Sequence, residues 1–377
     1  MSGFFVYMNY KRMLIEIESP EQLGYHLIKN NLTESSITDQ KFSELNLNLN
    51  ELVLAYGHHQ GHLQLRELIA TEYKVSVDEV LITAGAASAL FIVSSSLLEK
   101  GDTIIVQHPN YGTNFETPRA IGAHISYLNL SLEGDIRINI EEIKGLITPA
   151  VKFISITNPH NPTGFIFNDD EIIELIELAK SKNIFLLIDE TYAELWFRPQ
   201  PKLNFTENNN HVIIVSSLSK AYGLPGIRLG WLICKNKKWM EKFLAAKEQM
   251  VICNSLLDEE IAYQFLLNKN EWKQKNSIII NKKRQVVLDW LSNEKRLTVQ
   301  EFLGGVVCFP KIRNTEEIDV QLFYKILNSD FGTYVGPGRW FEMEDAFFRI
   351  GYGWPSISEL KDGLTAISES LTRAFRK

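Results

Sequence analysis

The chain has 377 residues, 45% hydrophobic and 23% charged, ordinary proportions for a globular protein with room for two lobes. Its net charge of -7 argues against nucleic acid and anionic membranes as partners, and no apolar run reaches the ~18 residues of a membrane span. Three cysteines, Cys234, Cys253 and Cys308, lack metal-ligand spacing and fit a reducing compartment, so a cytoplasmic protein of small-molecule chemistry is expected.

In chain order, residues 1–13 carry a short apolar patch followed by Lys11 and Arg12, the reverse of a secretory signal. Residues 1–50 read as an arm contributing to a small lobe, with a helix over 20–30 and an Asn- and Ser-rich loop over 30–50. Residues 51–270 are expected to form a large lobe and 271–377 a small C-terminal one. Tyr56 opens the stretch to Gly61, after which Leu63, Leu65, Leu68 and Ile69 mark an amphipathic helix over 62–73. His58 and His62 stand four apart with no carboxylate or cysteine beside them, and no metal is expected.

From residue 80 strands and helices alternate, the pattern of a parallel sheet with crossovers. Strand 80–83 is followed by Gly85, Ala86 and Ala87 at the start of a helix, where free amides and the helix dipole favour an anion. Strand 103–107 delivers Tyr111 to the same sheet edge, and strands 124–130 and 151–157 follow. The second of these ends in a stiff turn with two Asn-Pro pairs, from Asn158 to Gly164, which can fix the Asn161 amide. A helix over 169–181 precedes strand 184–188 and the polar group Asp189 to Tyr192. Asp189 is placed to pair with a cationic ring nitrogen, which would keep it ionised.

The next apolar run, 211–215, reads as a buried parallel strand, so Ser217, Ser219 and Lys220 fall just beyond its C-terminal end. Open α/β sheets bind ligands there. A lysine that loses its charge readily, small hydroxyls and Arg228 suit a cofactor that is both an aldehyde and a phosphate ester, namely pyridoxal phosphate. Ser217-x-x-Lys220 is also the spacing of penicillin-binding acyl enzymes, but the Ser-Asp-Asn and Lys-Thr-Gly companions are missing.

In the last third, 251–270 and 276–291 read as long helices, 304–310 as a strand, and 320–327 and 356–375 as helices. Arg349 stands between Phe348 and Ile350 in an apolar strand, where an unpaired guanidinium is costly to bury and a carboxylate held by both edges of the fork is a fitting partner. An internal pair with Glu342 or Glu344 is the alternative.

The set of strand ends resembles the class I and II aminotransferases, fold type I of the pyridoxal-phosphate enzymes, from Tyr56 to Arg349. The resemblance implies a large α/β domain, with a mostly parallel seven-stranded sheet between helices, and a smaller α+β domain. It implies that Lys220 forms the Schiff base, that Asp189 holds the pyridine nitrogen protonated, that Asn161 and Tyr192 donate to the phenolic oxygen, and that Tyr111 stacks on the ring. Ser217, Ser219, Arg228 and the amides of Ala86 and Ala87 would hold the phosphate, and Arg349, beside Asn161, the substrate carboxylate. Tyr56 would reach the phosphate of a neighbouring subunit, which implies a homodimer with shared sites. Amino acids and 2-oxo acids are the implied substrates. The family's Gly-x-Pro turn is missing from residues 30–50, and no second arginine for an acidic side chain is identified. Short strings around Asn161 and Tyr222 also resemble capreomycidine synthase, so a lyase or cyclase on the same fold is the alternative.

Overall fold

The computed structural model describes residues 8–132, 136, 138–197 and 209–376. Residues 1–7 of the N-terminal patch lie outside them. Seven strands form the main sheet: β2 (Val80–Thr83), β3 (Thr103–His108), β4 (His124–Asn129), β5 (Val151–Thr157), β6 (Phe185–Asp189), β7 (Val212–Ser217) and β8 (Gly230–Cys234). Their spatial order is β2-β8-β7-β6-β5-β3-β4. All pairs from β7 through β4 are parallel, whereas β8 runs antiparallel to both β2 and β7. The strand–helix alternation predicts crossovers throughout; β8 departs from it because the chain returns from β7 through a tight loop instead of a helix.

Alternate residues of these strands feed two cores. Ile105, Ile154, Ile188 and Ile214 meet helices Leu63–Tyr73, Asp169–Ser181 and Leu256–Leu267 on one face. Ile104, Phe153, Leu187 and Val215 meet helices Gly85–Leu97 and Lys237–Val251 on the other. With both faces covered, the central strands β6 and β7 are buried along their whole length, as a parallel sheet requires, while the edge strand β4 keeps exposed ends.

A second sheet is built from β1 (Asn30–Leu32), β10 (Val307–Cys308), β12 (Thr333–Pro337) and β13 (Phe348–Gly351), in the order β1-β12-β13-β10. A two-stranded ribbon of β9 (Leu297–Thr298) and β11 (Lys311–Ile312) and helices Val320–Ser329 and Ile357–Arg373 complete this part. β1 corrects the expectation of a loop from residue 30, since it pairs in parallel with β12 and the Asn30 amide donates to Thr333 Oγ1 at 2.9 Å. The helix expected over 20–30 is only Pro20–Leu23 and a short turn at Tyr25–Leu27, because Gly24 has φ 98° between them.

Two helices, Thr113–Ile121 and Lys237–Val251, were not assigned from sequence. The second stops at Ile252, whose φ of 58° breaks the chain without glycine or proline, so the helix expected from residue 251 starts at Leu256 instead. The one expected from 276 starts at Lys269 and runs to Asn293. Of the strand expected over 304–310, Val307–Cys308 pairs with β13 and Gly304 forms an isolated antiparallel bridge with Trp196. No described helix is long and apolar enough to cross a membrane.

Candidate active site

The C-terminal ends of β5, β6 and β7, the start of helix Gly85–Leu97, the N-terminal arm and β13 enclose one cavity of about 440 Å³. Its lining includes Ala86, Ala87, Tyr111, Asn161, Asp189, Tyr192, Ser217, Ser219, Lys220, Arg228 and Arg349. Tyr56 is not among them; it is 84% exposed on the outer surface.

One end of the cavity is an anion cradle. Helix Gly85–Leu97 begins there with Ala84 giving no side-chain cap, so its first amides remain available. Arg228, itself left-handed at φ 43°, lays its guanidinium against that turn, with Nη2 2.7 Å from where a Cβ on Gly85 would stand. Its Nη1 donates to Ser219 Oγ at 3.3 Å and to the Pro225 carbonyl at 2.9 Å. Ser217 Oγ accepts from the Ser219 amide. Gly230 on β8 makes this approach possible, because a Cβ there would sit 2.6 Å from the Gly85 carbonyl carbon and 2.8 Å from the Ala86 nitrogen.

In the middle, Lys220 opens onto the cavity, where burial lowers its amine's proton affinity, the Glu34 carboxylate raises it and Arg349 lowers it. Asp189 is buried at the end of β6. Burial raises its carboxyl above the usual range, and Thr191 opposes this by donating its hydroxyl at 2.5 Å and its amide at 3.0 Å to Oδ1. No arginine, lysine or histidine pairs with Asp189 among the described residues, so a cation brought by a ligand is what would hold it ionised. Burial pushes the Tyr192 hydroxyl up to about 12, so it stays a donor, and it gives its proton to Ser35 Oγ at 2.9 Å. Tyr111 donates to Glu16 Oε1 at 3.1 Å.

The other end is organised by Arg349. Its Nη1 donates to Asn161 Oδ1 at 2.9 Å and its Nη2 to the Thr33 carbonyl at 2.6 Å, while the buried Nε has no partner. The alternative of an internal ion pair fails, since Glu342 pairs with Arg119 at 2.5 Å and Glu344 with Lys311 at 2.9 Å. With Oδ1 turned to Arg349, Asn161 keeps Nδ2 as its donor. Behind it His160 is fully engaged, to Thr163 Oγ1 at 2.7 Å and the Pro109 carbonyl at 2.8 Å, and burial drives its pKa down to about 3.

The arm segment Thr33–Ser36, Glu16, Glu21, Asp39, Thr191 and Trp340 also line the cavity, and none was singled out as a site residue from sequence. Helix Leu14–Glu18 is tied down by Glu18, which accepts from Trp340 Nε1 at 2.7 Å and pairs with Arg339 at 2.9 Å. A usable signal existed in β13 and the residues after it. A Cβ on Gly351 would lie 1.8 Å from the Glu34 carbonyl oxygen and one on Gly353 2.7 Å from that of Ser36. Two glycines at the end of an apolar strand mark a second backbone lying against it. The histidines near residue 60 are separately occupied, His59 with Glu248 at 2.6 Å and His62 with Glu260 at 3.6 Å.

The family model of class I and II aminotransferases matches residues 27–367. The chain belongs to that family. Aspartate aminotransferase of Sulfurisphaera tokodaii is 26% identical over 325 residues, 84% of this chain and 81% of that protein. Capreomycidine synthase of Streptomyces vinaceus is 26% identical over 358 residues, 92% of this chain and 91% of the other. Among solved structures, a pyridoxal-phosphate-dependent aminotransferase from Streptococcus suis has a TM-score of 0.86 at 25% identity, covering 96% of this chain and 98% of that one. The fold is fold type I, and the cofactor of this aminotransferase is pyridoxal 5'-phosphate.

The residues present fit that cofactor. The uncapped helix start, Arg228 and the two serines suit a phosphate, Lys220 an aldehyde, and the buried unpaired carboxylate of Asp189 a pyridinium nitrogen.

Proposed function

We propose that the protein moves the amino group of an L-amino acid to a 2-oxo acid, with Lys220 as the proton carrier at the substrate Cα. One observation carries this: a lysine amine of lowered proton affinity shares a single cavity with a buried carboxylate at one side and the unpaired edge of a buried arginine at the other. Pyridoxal phosphate, when bound, supplies the electron sink for the bond broken at Cα. Ser217, Ser219, Arg228 and the Ala86 and Ala87 amides hold its phosphate, Asp189 its ring nitrogen, Asn161 and Tyr192 its phenolic oxygen, and Tyr111 its ring face. Arg349 orients the substrate by its carboxylate, and Asn161 fixes Arg349 from behind. The arm and Trp340 close the cavity and limit water.

We further propose a homodimer in which Tyr56 completes the partner's phosphate cradle. Val53, Leu54 and Tyr56 are 75%, 77% and 84% exposed, and the adjoining Gly57 stands against Leu256, beside Leu257, which is 41% exposed. An apolar surface of this kind is usual for an interface and costly in a monomer.

The test is the visible spectrum of the cofactor-loaded protein as each common amino acid is added without a 2-oxo acid. The expected result is bleaching by a donor and recovery on adding a 2-oxo acid. Ammonia release without bleaching would replace this reading by a lyase or cyclase, which the similarity to capreomycidine synthase favours as second choice.

A further inference from the structure

The N-terminal arm brings four carboxylates to the cavity lining, Glu16, Glu21, Glu34 and Asp39. Glu16 is engaged by the Tyr111 hydroxyl. Of the other three, Glu34 is half-buried, while Glu21 and Asp39 stand at the exposed rim. Tyr25 donates to Glu34 at 3.3 Å and Trp354 Nε1 to Asp39 at 2.9 Å, both neutral donors. No lysine, arginine or histidine forms an ion pair with Glu21, Glu34 or Asp39 among the described residues. The three lie within electrostatic reach of one another: burial raises the Glu34 carboxyl, Lys220 and Arg349 lower it, and Glu21 and Asp39 raise it again.

The cations of the cavity do not balance this wall under the function proposed above. Lys220 and Arg228 go to the cofactor and Arg349 to the substrate carboxylate, which leaves three carboxylates facing whatever side chain enters. A second observation, independent of charge, points to a ligand at the same wall. Ser19 lines the cavity beside Pro20 and Glu21, is 5% exposed, and its hydroxyl oxygen has no hydrogen-bond partner. Buried hydroxyls are seldom left unpaired. An incoming N–H group would satisfy it.

An acidic side chain would be repelled here, and a neutral one would leave the carboxylates uncompensated. We propose that the substrate side chain ends in an organic cation, a guanidinium or an ammonium, received by Glu34 with Glu21 and Asp39 and by the Ser19 hydroxyl. This rests on the amino-acid substrate proposed above and adds the side chain's charge.

The experiment titrates the visible spectrum of the cofactor-loaded protein with charged amino acids and their neutral isosteres: L-arginine with L-citrulline, L-lysine with L-norleucine, and L-glutamate as the opposite charge. We expect at least one cation to half-saturate at a concentration about tenfold or more below its isostere, as for a desolvated charge pair, with glutamate the weakest. A preference confined to arginine assigns a guanidinium, and one confined to lysine an ammonium. Glu34→Gln should bring the favoured ratio towards one; if that variant fails to retain cofactor, Asp39→Asn at the exposed rim makes the same comparison. Isosteres binding as well as the cations, or glutamate binding best, overturns the charge assignment and leaves the amino-acid substrate standing. A spectrum that no amino acid moves overturns both.

Discussion

Replacing Arg349 separates a substrate-binding role from a structural one. The guanidinium has five N–H donors. Two are used inside the protein, on Asn161 Oδ1 and the Thr33 carbonyl, and Nε–H is buried without a partner. Three donors therefore remain for a carboxylate, enough for a two-point contact. Charge-assisted hydrogen bonds contribute about 1.5–3 kcal/mol each, so the pair is worth roughly 3–6 kcal/mol, or on the order of 100- to 20,000-fold in affinity. Arg349→Lys keeps the charge and offers a single ammonium in place of the fork, and it should lose part of this. Arg349→Met keeps volume and should lose nearly all of it.

The assay compares each amino acid with the amine that lacks its carboxylate, by spectral titration of the cofactor-loaded variants. The predicted loss falls on the amino acid alone, since the amine never made the contact. Equal losses for both members of the pair would refute the reasoning and make Arg349 a structural residue. Arg349→Met also strands two buried acceptors, at about 1–3 kcal/mol each, so lower thermal stability is expected in that variant and does not bear on the ratio.

Two further outcomes are expected. Gly230→Ala should weaken cofactor retention on gel filtration, because its Cβ would press on backbone atoms of Gly85 and Ala86, whereas Gly226→Ala in the loop before β8 meets nothing within 4 Å and should bind normally; equal behaviour of the two would remove the cradle argument. If Tyr56 serves the partner's site, mixing Tyr56→Ala with Lys220→Ala chains should restore roughly a quarter of the wild-type sites, since a mixed dimer gathers both defects in one site; no restoration would mean the sites are not shared.

The cofactor end of the site was legible in the sequence because each of its residues follows a strand that is buried on both faces. Apolar runs such as 151–157 and 212–217 stop where polar residues begin, so the change of composition marks the sheet edge. Arg349 and Asn161 apart, the arm side of the cavity was not legible, for the same reason in reverse. β1 is Asn-Asn-Leu, three residues whose strand character comes from pairing with β12. Glu34, Ser35 and Asp39 carry no local pattern, and what places them is a long-range contact with the glycines at 351 and 353. β8, which was not assigned from sequence, escaped notice together with its reversed direction, because a strand's direction is set by the connection before it and the loop from Leu218 to Leu229 has no periodicity to show where it turns.

This division has a consequence for how selectivity can change. The residues proposed to hold the cofactor sit on strand ends and a helix start fixed by two cores, so they tolerate little movement. The arm is held more sparingly. Thr33 gives its carbonyl to Arg349, Ser35 receives the Tyr192 hydroxyl, and Glu34 lies between them with its backbone against Gly351. The position of the Glu34 carboxylate is therefore set by two residues assigned to the reaction itself. A neutralising substitution at Glu34 changes the charge offered to the side chain and also removes the carboxylate that raises the proton affinity of Lys220, whereas one that shifts the arm backbone moves the partners of Arg349 and Tyr192. Side-chain preference is thus best separated from catalysis at Asp39, on the exposed rim, and is inseparable from it by remodelling the segment that carries Glu34.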